Sequence, residues 1–178
     1  MSAVEYKMII PDRWHIQYAQ QVSEWIAAAI KKEIPMLPKK PEAVLDLFNQ
    51  GFSVIAVEPS TGEMAAHVCL YPYCKAPIVE VGGAIRNPRN EFSGAAAVAT
   101  VWAIKRAREL FPERRIIALA NPVGAKALIE KHGGKILSHD ELPHEAFELC
   151  GTCPRIAYKT LRQKCCDQPI DLSNSHLE

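Results

Sequence analysis

Ile78-Val-Glu-Val-Gly-Gly-Ala-Ile-Arg86 is followed by Asn87-Pro-Arg-Asn-Glu-Phe-Ser93 and then by Gly94-Ala-Ala96. A β-branched, apolar run ends in a loop with a proline, and the loop opens into a helix whose first turn holds only small residues. That helix is predicted over Ser93 to Leu110, about 27 Å at the α-helical rise. The first turn of a helix leaves backbone N–H groups unpaired, and the helix dipole adds partial positive charge there. With Gly94, Ala95 and Ala96 in place of bulky side chains, a phosphate could approach those groups closely. The same small residues would also suit a helix packed tightly on a sheet, so this feature alone leaves both readings open. Gly82 and Gly83 inside the strand point to a bulge, a bend or the close approach of a ligand.

Upstream, Val4 to Ile10 reads as a short strand ended by Pro11. Asp12 can cap a helix in which Trp14, Tyr18, Val22, Trp25, Ile26, Ala29 and Ile30 recur at helical spacing. That helix ends near Glu33, before Pro35 and Pro38. Pro41 to Asn49 is a second helix, with proline in its first turn and Gly51 after it. Phe52–Val57, Met64–Tyr71 and Ile78–Arg86 form an antiparallel meander. Downstream, Arg115–Ala120 is a buried strand and Asn121–His132 a helix stopped by Gly133-Gly134. Lys135–Leu137 and Arg155–Leu161 are the last strand candidates. The fold class is α/β in the mixed α+β sense, with a central mixed sheet flanked by helices. Its first half is antiparallel and its second half β-α-β. The sheet is expected to split between Ile78–Arg86 and Arg115–Ala120. One domain is expected over residues 1–162, and the polar residues 163–178 read as a flexible tail.

The composition is that of a globular protein: 48% hydrophobic and 23% charged over 178 residues. Twenty-one Lys and Arg against 20 Asp and Glu leave a net charge of +1, so no global field draws nucleic acid or an anionic membrane. No run approaches the roughly 20 apolar residues of a membrane span. The N-terminal residues lack a basic segment followed by an apolar one, and the expected compartment is the cytoplasm. The basic positions Lys105, Arg106, Arg108, Arg114 and Arg115 read as solvent-facing charge, and Trp14, Trp25 and Trp102 as core.

The cysteines are Cys69, Cys74, Cys150, Cys153, Cys165 and Cys166. Cys150-Gly-Thr-Cys153 has a metal-like spacing, but Cys165 and Cys166 are adjacent and do not complete a usual zinc set. The expectation is reduced thiols and no metal.

Pro88, Glu91, Gly94 and Ala96 occupy the positions of a loop motif with Pro, then Arg or Gln, then Gly and a small residue. Asn121, Ala125, Leu128, Ile129, Glu130, Lys131 and Gly133 follow a second pattern, Asn then Ala-x-x-Leu-Tyr-Glu-Lys-x-Gly-Phe. Together these motifs resemble those of the GNAT acyltransferase superfamily, over roughly Val4 to Leu161. The resemblance implies transfer of an acetyl group from acetyl-coenzyme A, as co-substrate, to an amine in a soluble enzyme. Glu91 stands where Arg or Gln is usual, and would repel a pyrophosphate unless Arg86 or Arg89 compensates. Ile129 stands where many members carry a tyrosine that protonates the departing thiolate, and Gly134 replaces a common Phe. The Asn121–Ala125 spacing is one residue longer than usual. Glu91 and Ile129 favour the alternative, a GNAT-shaped binding or structural module without chemistry.

The resemblance also implies site residues. Phe92, Ser93, Gly94, Ala95 and Ala96 would offer N–H groups to the pyrophosphate. Ala84, Ile85 and Arg86 would pair with the pantetheine arm as an added strand does. A backbone N–H near Gly83 to Ile85 would polarise the thioester carbonyl. Asn121 and Lys126 complete the cofactor set. The attacking amine must be neutral, so a base or a water relay is required. Glu80 is the first candidate and His67 the second. Tyr71, with Tyr73, would line the acceptor side or act as acid. The expected partners are acetyl-coenzyme A and an amine, with no nucleic acid and no membrane, and a homodimer left open.

Overall fold

The computed structural model describes residues 5–32, 34, 36–89, 92, 94–152 and 168–177. Glu91, Ser93, Cys153, Cys165, Cys166 and the strand expected at 155–161 lie outside the described residues. The strands are β1 (Lys7–Ile9), β2 (Ser53–Val57), β3 (Met64–Pro72), β4 (Ile78–Arg86), β5 (Arg115–Ala120), β6 (Lys135–Ile136) and β7 (Gln168–Asp171). The helices are α1 (Ile16–Lys31), α2 (Pro41–Asn49), α3 (Ala95–Leu110) and α4 (Pro122–His132), with 3-10 turns at His139–Glu141 and His144–Thr152. The strands hydrogen-bond in the order β1-β2-β3-β4-β5-β7-β6, a mixed sheet. The chain divides into two compact units: residues 1–70 with 83–103, and 71–82 with 104–178. β3, β4 and α3 each contribute residues to both units.

The first unit is built on the helical periodicity of α1. Ala19, Val22, Ile26 and Ala29 fall on one face and are buried with Val44 and Phe48 of α2 and with Ile55, Val57, Met64 and Ile85. Pro41 opens α2, since its fixed φ suits a first turn and its missing N–H would go unpaired there. Every residue of β2 is buried, as are the first seven of β3. The two strands pair antiparallel, Ser53 opposite Cys69 and Ile55 opposite His67. Asp12 does not cap α1: its carboxylate accepts from Trp14 N–H at 2.9 Å and closes a turn ahead of the helix. Trp14 therefore precedes the helix and is 73% exposed, with Arg13 over its ring at 4.7 Å. Trp102 is 46% exposed as well, so only Trp25 of the three joins a core.

In the second unit β4 and β5 run parallel, Ile78 opposite Arg115, Val79 opposite Ile116 and Glu80 opposite Ile117. Ile78 and Ile117 are buried with Leu137 and Leu142, against which Tyr73, Ala76, Leu119 and Phe147 pack. The polar stretch expected as a tail contains β7, which pairs with β5 on one side and β6 on the other. Ile170 and Leu172 are fully buried there. Arg115 Nε donates to Asp171 at 3.0 Å, and Leu172 N–H to Ile116 O at 2.8 Å. Three of the arginines read as solvent-facing, Arg108, Arg114 and Arg115, are structural instead. One nitrogen of Arg108 donates to the carbonyls of Leu172, Ser173 and Ser175, the last at 2.8 Å. No helix among the described residues is long and apolar enough to cross a membrane.

Candidate active site

The β4–β5 register runs from Ile78 to Glu80. Beyond it β4 continues to Arg86 and β5 to Ala120 without a further pair between them, while β7 pairs along the other edge of β5. Glu80 thus stands at the last pair of this parallel ladder, where the sequence places the split of the sheet. Residues two apart on a strand share a face, so Glu80 and Gly82 point the same way. The carboxylate folds back over the glycine. A Cβ built at Gly82 would lie 2.7 Å from Glu80 Oε1 and 3.4 Å from the Tyr71 ring. Any side chain at 82 would displace the carboxylate, which explains one of the two glycines. The other, Gly83, has a φ of +60°, a left-handed conformation that bends the strand and favours glycine.

Tyr73 Oη donates to Glu80 Oε2 at 2.7 Å, so Tyr71, Tyr73, Glu80 and Gly82 form one half-buried cluster of the second unit. Tyr73 N–H also donates to Ile78 O at 3.0 Å. The sequence suggests this cluster only through the proximity of Tyr71 and Tyr73 to the strand end.

His67 is corrected as a candidate base. It is fully buried in β3, with Nε2 at 3.2 Å from Ser53 Oγ and Phe48 beside its ring. Burial, helped by the charge of Lys39, pushes its pKa down to about 3. An enclosed imidazole that refuses a proton at neutral pH is not set up to take one from an amine.

In the first unit Ala84 and Arg86 are exposed, while Ile85 turns inward to the core. The loop that follows is organised by Asn87, a residue the sequence does not single out. It is buried, and its side chain donates to Glu63 Oε1 and Met64 O, both at 3.1 Å, and accepts from Arg89 N–H at 3.0 Å. Arg89 pairs with Glu63 and lies 4.9 Å from the centre of the buried Phe92 ring. One of the two cations suited to offset Glu91 is therefore already facing a carboxylate. Gly94 has a φ of +86°, and a Cβ there would meet nothing within 4 Å. Ala95 is buried and begins a buried stripe with Ala99, Ala103 and Ala107.

In the second unit Asn121 caps α4, its side-chain oxygen accepting from Gly124 N–H at 2.9 Å. Lys126 is exposed and 3.8 Å from Glu130. Both line a shallow groove of about 520 Å³ with Ala125, Ile129, Ile136 and Gln168. Cys69 is buried and Cys74 exposed, and neither is in a disulfide. Among the described residues no group of three or more His, Cys, Asp or Glu is placed to hold a metal ion.

Neither known protein families nor curated proteins match the sequence. Solved structures do. N-acetylglutamate synthase from Neisseria gonorrhoeae, determined with coenzyme A and N-acetylglutamate, matches with a TM-score of 0.67 at 16% identity. The match covers 96% of this chain and 36% of the synthase, so this chain spans about a third of that protein's length. An acetyltransferase of the GNAT family from Staphylococcus aureus matches with a TM-score of 0.62 at 11% identity, over 94% of this chain and 99% of the other. Diaminobutyrate acetyltransferase from Paenibacillus lautus, determined with 2,4-diaminobutyric acid and coenzyme A, gives 0.58 at 12%, over 95% and 94%. At these identities the likeness is one of architecture, and the chain has the fold of the GNAT-family acetyltransferases.

Proposed function

We propose that this chain is an N-acetyltransferase that moves the acetyl group of acetyl-coenzyme A to an amine by direct attack. The observation that carries the reading is the Glu80 carboxylate, held by Tyr73 over Gly82 at the last pair of the β4–β5 ladder. The fold supports it, because the matched acetyltransferases share this architecture. The pyrophosphate lies against the N–H groups of residues 92–96, where Gly94 leaves open space. The pantetheine arm pairs with the backbone of Ala84, Ile85 and Arg86, and Lys126 faces the adenosine phosphate. Asn121 serves by fixing the start of α4. Tyr71 lines the acceptor side.

In the reaction Glu80 accepts a proton from the amine, directly or through a water. The nitrogen attacks the thioester carbonyl carbon while a backbone N–H of residues 83–85 stabilises the oxyanion. The C–S bond then breaks, and the coenzyme A thiolate leaves. With Ile129 in the acid position solvent protonates the thiolate, which is already a good leaving group. Two matched enzymes were determined with amino acids or their acetylated product, so the acceptor panel starts with L-glutamate and L-2,4-diaminobutyrate. Spermidine and a short peptide with a free N-terminus complete it.

The test is calorimetric titration with acetyl-coenzyme A, followed by a thiol-release assay across the panel. Binding with amine-dependent thiol release is expected. Binding without release favours the silent module, to which Ile129 points. No binding at millimolar ligand would remove the enzyme reading and leave the structural module, to which Glu91 points.

Two variants locate the site. Gly94→Trp is expected to weaken acetyl-coenzyme A binding at least about tenfold, because the indole fills the approach to the N–H groups and strains a left-handed backbone. Unchanged affinity would move the cofactor elsewhere. Gly82→Ala is expected to lower turnover about tenfold with little change in melting temperature. The new Cβ would lie 2.7 Å from Glu80 Oε1 and at ordinary contact distance, 3.4 Å, from the Tyr71 ring, so the carboxylate shifts and the sheet does not. Wild-type turnover in Gly82→Ala would show that the position of the carboxylate does not matter.

A further inference from the structure

The turn that carries Tyr73 is fastened more firmly than a reversing chain requires. Cys74 and Lys75 at its tip are exposed. Yet the Tyr73 carbonyl accepts from Arg114 Nη1 at 2.8 Å, and the same nitrogen lies 3.3 Å from Ile78 O. The next two N–H groups, of Cys74 and Lys75, donate to the two oxygens of Glu145, each at 2.8 Å. Lys75 Nζ reaches Glu148 at 3.0 Å. These partners lie 41 and 71 positions away along the chain, so neither clamp is a local turn effect. Tight hairpins usually hold themselves by their own ladder and turn residues. What the clamps fix in place is the phenol that meets Glu80.

We propose that Tyr73 is a positioning residue for Glu80: it holds the carboxylate by Oε2 and so sets where Oε1 points, while Arg114 and Glu145 lock the turn that carries it. The inference rests on the reading of Glu80 as the base. A carboxylate without such an anchor turns about its last bond and spends part of its time misdirected, which general-base catalysis does not tolerate. Tyr73→Phe removes the anchor alone, leaving the ring, its packing against Ile78 and both backbone clamps.

The experiment is a double-mutant cycle of Tyr73→Phe and Glu80→Gln, assayed by thiol release. The acceptor is the fastest amine of the panel, or water where no amine exceeds hydrolysis. Tyr73→Phe is expected to lower kcat about ten- to a hundredfold, the range for a hydrogen bond to a charged group. KM for acetyl-coenzyme A stays unchanged, and the variant stays folded at the assay temperature. In the Glu80→Gln background the same substitution costs nothing further, because its effect passes through the carboxylate. Glu145→Gln, which keeps one of two acceptor oxygens, gives a smaller loss with the same dependence on Glu80. Equal losses in both backgrounds would overturn the inference, since Tyr73 would then act apart from Glu80. Full turnover by Tyr73→Phe beside a crippled Glu80→Gln overturns this inference alone. Full turnover by Glu80→Gln overturns the base reading and this inference with it.

Discussion

Glu80→Gln is expected to lower turnover by about 10²–10⁴ while leaving acetyl-coenzyme A affinity within about twofold. The substitution keeps the size of the side chain and an oxygen that can accept from Tyr73 Oη, so the cluster stays assembled. It removes only the ability to take a proton. A loss of that size is roughly 3–5 kcal/mol of transition-state stabilisation, more than a surface carboxylate could give. Calorimetry with acetyl-coenzyme A and thiol release at saturating acceptor separate binding from chemistry. Turnover equal to wild type would take Glu80 out of the mechanism. A lowered melting temperature with lowered turnover would make its role structural.

The second large effect concerns acid stability. His67 has its pKa pushed down to about 3 by burial, with Lys39 adding to the effect, against about 6.5 in an unfolded chain. Between those values the unfolded chain binds a proton that the folded one refuses. Stability is therefore complete above about pH 6.5 and falls as the pH drops, by about 1.4 kcal/mol per pH unit once well below that value. At pH 5 the loss is roughly 2 kcal/mol, a large share of a typical domain's stability. The control is the double variant Ser53→Ala with His67→Leu, which removes both partners of the buried hydrogen bond and leaves neither unsatisfied. Urea midpoints from pH 8 to 5 are expected to fall more steeply in the wild type than in this variant. Carboxylates that titrate in both proteins cancel in the difference. Parallel curves would mean that His67 exchanges protons as freely folded as unfolded.

Much of this architecture is legible in the sequence because it follows periodicity. The buried face of α1 is the set at helical spacing, and Pro41 marks the start of α2. The meander of β2, β3 and β4 follows from three apolar runs separated by turn residues. The misreadings have physical causes. Trp14 has the right spacing but lies before the helix, where spacing no longer dictates burial. Trp102 is exposed because α3 turns alanines inward, and alanine gives a weak hydrophobic signal. His67 is a catalytic candidate by residue type alone, although it sits in a strand buried on both faces. β7 holds four residues, of which Ile170 is the one large aliphatic side chain, too short for an alternating pattern to emerge from polar neighbours. The clamps by Arg114 and Glu145 could not be seen at all. A lone charge in a sequence does not reveal which distant backbone it will meet.

The place of β7 in the sheet bears on how the protein is made. It is the last of the seven strands to be synthesised, yet it lies between β5 and β6. β6 has emerged from the ribosome well before Gln168 does, and at 5–20 residues per second the gap is about two to six seconds. Throughout that interval the nascent chain carries β5 with the edge that β7 will occupy still open. Ile117 and Ala118, buried in the finished protein, flank that edge. An unpaired apolar strand edge is a template for association with other chains. The order of synthesis thus leaves this edge to be closed last, by the strand that contributes Ile170 to the core.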